Sequence, residues 1–259
     1  MNSFRYIPLT ARNGFWNMAL DEAILRMVIK KKSPNTLRFY KWRPSTASIG
    51  RNQSLSAEID IKFANQKGFN VVRRITGGGA VFHDEEGELT YSIICPIKFL
   101  EYLGCKKVLD QFEIITQGII AGLMIFGLTP EKDVIHCPAI MIEGKKFSGN
   151  AQVRKKGYIL QHGTILLDLD PDLMYSVLKA PEAVSKTRMV KSVRAKCIGI
   201  KEQIQNYDEN KLIESLKSGF EKTLAIKLVK GTFSKEELIL ADQLVKEKYS
   251  NVKWLKKYE

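Results

Sequence analysis

The sequence predicts an α+β fold, and three observations carry that prediction. Strand-like segments fall into clusters with helical ones between them, not into regular alternation. From Pro171 onward helical patterns dominate. The chain has 259 residues, 44% hydrophobic and 27% charged. That suits one full core, as a single large domain or one with a small appendage.

Taken in order, Trp16–Val28 carries apolar residues at helical spacing with acids in its early turns. Leu37–Trp42 alternates like a strand that Pro44 ends. Ala47–Gln53 reads as a short strand running into a polar turn, and Ile59–Lys67 as a helix closed by Gly68. Val71-Val72 and Leu89–Ile94 read as strands around a glycine loop. Val108–Phe126 has continuous helical periodicity and stops at Gly127. Ala139–Ile142 and Gly144–Phe147 form a predicted hairpin turning at Glu143-Gly144, and Gly157–Leu167 is a strand pair or one long strand. Helices follow over Asp172–Leu178, Glu209–Leu224 and Lys235–Tyr249, and Thr187–Val193 is the one candidate boundary.

The opening Met-Asn-Ser-Phe-Arg-Tyr-Ile-Pro has no secretory apolar core and no apolar run reads as a bilayer span, so a cytoplasmic protein is expected. Cys95, Cys105, Cys137 and Cys197 are scattered without a C-x-x-C pair, which argues against zinc and disulfides. The formal charge of +13 favours acidic partners: nucleic acid, an anionic membrane or an acidic carrier protein. A solvated lysine-rich surface, as in a thermophile, gives the same excess. With no RNA-recognition sequence or aromatic–basic repeat, neither nucleic acid nor membrane is the expected partner.

Arg73-Arg74-Ile75-Thr76-Gly77-Gly78-Gly79-Ala80-Val81-Phe82-His83-Asp84 is the densest cluster. Glycines let the backbone approach a ligand, and successive bare N–H groups can cradle a carboxylate or phosphate. Such a run also serves as a plain tight connection. It is neither a P-loop nor a dinucleotide fingerprint. The second cluster, Lys145-Lys146-Phe147-Ser148-Gly149-Asn150-Ala151-Gln152, sets a lysine before an uncrowded small-residue turn.

These clusters, followed by Gln161-His162-Gly163-Thr164-Ile165-Leu166-Leu167 and joined by Asn17–Glu22 and Ile49–Gln53, resemble the lipoate–protein ligase A family. The resemblance spans roughly residues 14 to 250. It implies mixed β-sheets flanked by helices, related to biotin–protein ligases, in a single catalytic domain over 1–259 with a helical part from about 190. The implied reaction uses ATP and Mg2+ to convert lipoate (or octanoate) to an acyl-adenylate. Transfer to one lysine of a lipoyl domain follows, on a 2-oxoacid dehydrogenase E2 or glycine cleavage H protein. Lys146 takes the place of the family's central lysine. Arg74 and the amides of Gly77, Gly78 and Gly79 line the acyl-phosphate region. Ala80, Val81, Phe82 and His83 continue that wall, with Gly149 and Ala151 beside Lys146 and with His162 and Thr164 opposite. Ile49, Val72 and Val81 are candidate walls for the apolar tail. No metal ligands are assigned.

The same superfamily holds acyltransferases that need no ATP and carry an octanoyl or lipoyl group on a cysteine. Here His136-Cys137-Pro138 lies just upstream of the Lys146 hairpin, so Cys137 is the alternative nucleophile. Pro138-Ala139 stands where the ligases carry Asn-Asp or a similar acidic residue. Nothing after Tyr249 reads as a C-terminal accessory domain, so a separate accessory subunit is a further implied partner.

Overall fold

A computed structural model describes residues 2–132 and 139–259. The strands are β1 (Asn2–Arg12), β2 (Thr36–Trp42), β3 (Thr46–Ile49), β4 (Asn70–Arg73), β5 (Val81–His83), β6 (Glu88–Pro96), β7 (Glu131–Lys132), β8 (Ile140–Ile142), β9 (Lys145–Ser148), β10 (Asn150–Lys155), β11 (Tyr158–Leu166) and β12 (Ile226–Lys230). The helices are α1 (Gly14–Ile29), α2 (Leu55–Glu58), α3 (Ile61–Gln66), α4 (Ile97–Tyr102), α5 (Val108–Phe126), α6 (Pro171–Val177), α7 (Lys186–Lys196), α8 (Glu209–Leu224), α9 (Lys235–Leu244) and α10 (Val252–Leu255).

The architecture is α+β with mixed sheets flanked by helices. The main sheet runs β10-β11-β6-β2-β1-β12; smaller sheets run β4-β3-β5 and β7-β8-β9. β1 pairs in parallel with β2 and β12, while β2–β6, β6–β11 and β11–β10 are antiparallel. α5 and α8 pack together over the main sheet, burying Ile115, Ile119, Leu123, Leu216 and Phe220 beside Phe39 and Tyr91. By length and composition α5 is apolar enough to cross a membrane, contrary to the expectation from the sequence. One face of it, with Ile115, Ile119, Leu123 and Phe126, is buried in the core shared with α8, while Val108, Leu109, Met124 and Ile125 are exposed.

Three differences from the expected elements have physical causes. β1 escaped notice because Pro8 interrupts its alternation; the register with β2 shifts between Ile7 and Thr10, where proline cannot donate to the ladder. α7 contains one buried residue, Val190, so it has almost no apolar stripe to read, and it runs through the candidate boundary. β12 follows α8 after a left-handed Ala225 and returns to the main sheet, which ties the helical C-terminal third to the N-terminus. The Glu143-Gly144 hairpin forms with positive φ at both residues, and Tyr158–Leu166 is one strand.

α1 shows why local reading misjudges acids. Asp21 and Glu22 are buried, not solvated. Glu22 accepts from Lys248 Nζ at 2.7 Å and Tyr249 Oη at 2.6 Å, tying the C-terminal region to α1.

Candidate active site

A cavity of about 300 Å³ opens where the three sheets meet. Its walls combine Met18 of α1, Tyr40 and Trp42 of β2, the glycine loop between β4 and β5, and Lys146 of β9. The cavity brings together Arg74, Gly78, Gly79, Ala80, Val81, His83, Lys146, Gly149, Ala151, His162 and Thr164. Gly77 and Phe82 are outside the lining. Gly77 turns its carbonyl onto Arg74 at 2.9 Å. Phe82 packs against Phe69, because strand alternation sends it to the face opposite Val81 and His83. The same alternation turns Ile49 away while Ser48 faces the cavity, and Val72 packs behind the wall formed by Met18, Tyr40 and Trp42.

Arg74 is buried and its donors are engaged by the protein. Nη1 donates to Ser48 O (3.2 Å) and Oγ (3.1 Å), and Nη2 donates to Gly77 O (2.9 Å) and Gly79 O (2.6 Å). Burial draws its pKa down to about 10, with Tyr40 partly offsetting this, so it stays charged at neutral pH. Arg73 serves the fold. Its guanidinium reaches Gln53 O at 2.6 Å and Leu255 O at 2.6 Å, fastening α10 to the turn before α2.

Lys146 is the exposed cation at the opening. A Cβ built on Gly149 would sit 3.6 Å from its Nζ, and among the described residues that ammonium has no hydrogen-bond partner. Cys137 and His136 lie outside the described residues. Along the chain Cys137 is two residues from Ala139, which lines the cavity.

Two imidazoles complete the walls. His162 Nε2 lies 2.7 Å from Thr76 Oγ1 and Nδ1 lies 3.1 Å from Asp21 Oδ2. Burial pushes the His162 pKa down against the opposing pull of Asp21. Burial also opposes charge on Asp21, but Arg38, His162 and Ser92 together outweigh it and hold the carboxyl below its usual range. His83 Nε2 lies 2.8 Å from Ser48 Oγ, Nδ1 lies 2.8 Å from Glu88 Oε1, and the ring stacks on Trp42 at 4.0 Å. Sequence reasoning missed Ser48, Thr76, Glu88 and Thr90. The alternation of Leu37–Trp42 was the available signal for the aromatic wall.

The imidazole and carboxylate shifts make a stability prediction. The unfolded His162 titrates near 6.5 and its folded pKa is lower, so between them the unfolded chain binds more protons. Stability therefore falls as the pH drops below 6.5 toward the folded value, and falls again when Asp21, depressed from 3.8, is protonated in turn. A Tm series from about pH 8 to about pH 2 checks both steps, and a Tm that rises on acidification refutes them.

The family model of the lipoyl protein ligase A/B catalytic domain matches residues 13–221. Over 276 residues the chain is 38% identical to octanoyltransferase LipM of Brevibacillus brevis, covering 98% of this chain and 99% of that protein. It is 34% identical to LipM of Bacillus subtilis, with 97% of each covered. Among solved structures, a bipartite lipoate protein ligase from Thermoplasma acidophilum superposes with TM-score 0.86 at 26% identity, covering 100% of this chain and 98% of that one. Lipoate–protein ligase A bound with ATP gives 0.83, also at 26% identity, with 100% of each chain covered.

These findings correct the assignment to ligase A, the ATP-dependent lipoate ligase activity and the ATP and Mg2+ cofactors. The relatives matched nearly end to end at 34–38% identity are octanoyltransferases, whereas the ligases share the fold at lower identity. The expectation failed for a chemical reason. A glycine loop and a lysine around an acyl carbonyl suit adenylation and thioester transfer alike, so these motifs do not separate the two reactions.

Proposed function

The chain belongs to the lipoyl protein ligase A/B catalytic domain family, and from that premise we propose that it is an octanoyltransferase. It takes an octanoyl group from a carrier thioester onto Cys137 and passes it to a lysine of a lipoyl-domain protein. The observation that carries this reading is the near full-length similarity to octanoyltransferases. The apolar wall of Met18, Tyr40, Trp42 and Val81 suits a saturated acyl chain.

The chemistry balances without a nucleotide. The Cys137 thiolate attacks the thioester carbonyl, the carrier C–S bond breaks, and the carrier leaves as its thiol after taking up a proton. The neutral amine of the acceptor lysine then attacks the enzyme thioester, losing a proton as the amide forms and Cys137 is released. A thioester is already activated, so no adenylate is needed. Lys146 supplies positive charge for the oxyanion, and the Gly78–Ala80 stretch adds backbone donors. Lipoyl domains of E2 and H proteins are the acceptors. The similar bipartite ligase is itself described together with its E2 lipoyl domain. The catalytic unit includes the C-terminal third, since β12 completes the edge of the main sheet.

The test is octanoylation of an apo lipoyl domain by the purified chain with octanoyl carrier and no nucleotide, read by intact mass. Labelling is expected without ATP, with an octanoyl adduct on the enzyme that Cys137→Ala removes. Labelling that requires free octanoate and Mg-ATP would refute the reading.

A further inference from the structure

The glycine loop is anchored by two buried chains of hydrogen bonds, and one of them ends at the cavity's cationic wall. On one side Asp21 of α1 holds His162, which holds Thr76 at the start of the loop. On the other, Glu88 Oε1 lies 2.8 Å from His83 Nδ1, His83 Nε2 lies 2.8 Å from Ser48 Oγ, and Ser48 Oγ accepts from Arg74 Nη1 at 3.1 Å. Arg74 then grips the loop carbonyls of Gly77 and Gly79 through Nη2.

A carboxylate only accepts, so Nδ1 of His83 donates to Glu88, and the Ser48 hydroxyl, whose oxygen accepts from Arg74, has its proton free to donate to Nε2. Thr90 Oγ1 donates to Glu88 Oε1 at 2.5 Å, and Trp42 Nε1 donates to Thr90 Oγ1 at 2.8 Å. The Trp42 ring lies nearly parallel to His83, at 14°. The imidazole is thus held on one face and at both nitrogens.

Hydroxyl, imidazole and carboxylate at these distances also match a nucleophilic triad. Two observations decide against it. The Ser48 hydroxyl oxygen already accepts from a guanidinium, which withdraws electron density from it. Ser48 is also 0% exposed in the middle of its small sheet. In a trans peptide the C=O and the following N–H point in opposite senses. With Gly77 O and Gly79 O turned onto Arg74, the N–H groups of Gly78 and Ala80 are directed away from the guanidinium, and both residues line the cavity.

We propose that Glu88, His83 and Ser48 form a positioning relay: they hold Arg74 in the orientation that turns the glycine-loop carbonyls inward and presents the loop amides to the oxyanion of the reacting thioester. This rests on the acyl-transfer reading above and adds positioning residues to it. None of the three needs to touch the reacting carbonyl.

Ser48→Ala removes the link between His83 and Arg74. Glu88→Gln is isosteric, but its amide can donate to Nδ1, which flips the His83 tautomer and leaves Ser48 facing two donors. The experiment measures octanoyl transfer by wild type, both variants and Ser48→Thr, with kcat expressed per acylatable enzyme so that misfolded protein does not count. Expected is a fall in that kcat of about tenfold or more in Ser48→Ala and Glu88→Gln, with the donor KM within about threefold. Ser48→Thr, which keeps the hydroxyl, should recover most of the rate. Unchanged kcat in both variants overturns the relay. So does an octanoyl ester on the Ser48 peptide of Cys137→Ala enzyme, which would make the triad nucleophilic. Wild type that forms no acyl-enzyme overturns the transfer reading, and the relay with it.

Discussion

Lys146→Ala is expected to lower kcat/KM for octanoyl transfer by about 10²–10³-fold while leaving the Tm nearly unchanged. Among the described residues, two basic side chains besides the imidazoles line the cavity, Arg74 and Lys146. Arg74 spends its donors on Ser48 and on the loop carbonyls. Lys146 is exposed, and the turn beside it leaves its ammonium free to approach a ligand. Its backbone is secured independently, since Lys146 O accepts from Ile198 N at 3.1 Å. Truncating the side chain therefore removes charge from the site without loosening the strand. Lys146→Arg should recover only part of the rate, because a planar fork replaces a compact point charge. Steady-state kinetics with octanoyl carrier, alongside thermal unfolding, checks both. A loss under about threefold for the alanine variant would exclude Lys146 from the chemistry.

Gly50→Ala should be nearly as damaging, although residue 50 does not line the cavity. A Cβ there would lie 2.0 Å from the carbonyl oxygen of Gly78, a backbone atom that cannot rotate aside. Gly78 itself has φ +92°, a conformation that suits glycine and that the push on its carbonyl would disturb. The loop must shift by about an ångström, a displacement that can cost on the order of 10²-fold in rate. The overpacking itself costs about 1–3 kcal/mol of stability. Gly79→Ala is the internal control for stability, since a Cβ there meets nothing within 4 Å and φ is not positive. Comparable Tm losses in both variants would show that the loop tolerates no side chain anywhere, contrary to this geometry.

Much of the fold was legible because its signals are local. The α5 periodicity and its left-handed Gly127 stop, the Glu143-Gly144 hairpin and the alternation of β2 each depend on residues a few positions apart. β1 and β12 were not legible, since one carries a proline and both are defined by pairing with partners far along the chain. Motif residues were legible as a set but not by role. Arg73 and Arg74 are adjacent and chemically identical, yet one fastens α10 and the other holds the glycine loop. Only the paths of distant backbone segments separate them.

Composition and periodicity by themselves determined the α+β class, and motif order carried the family resemblance that gathers Gly77–Gly79, Lys146 and His162 into one candidate site. Such features are properties of short stretches, where covalent geometry and side-chain type act directly. Tertiary structure alone decided that Phe82 leaves the cavity while Ser48 enters it, and that Asp21 and Glu88 fix the two imidazoles from 141 and 5 residues away. Burial and hydrogen-bond pairing depend on what the fold packs against each side chain, and no local pattern contains that.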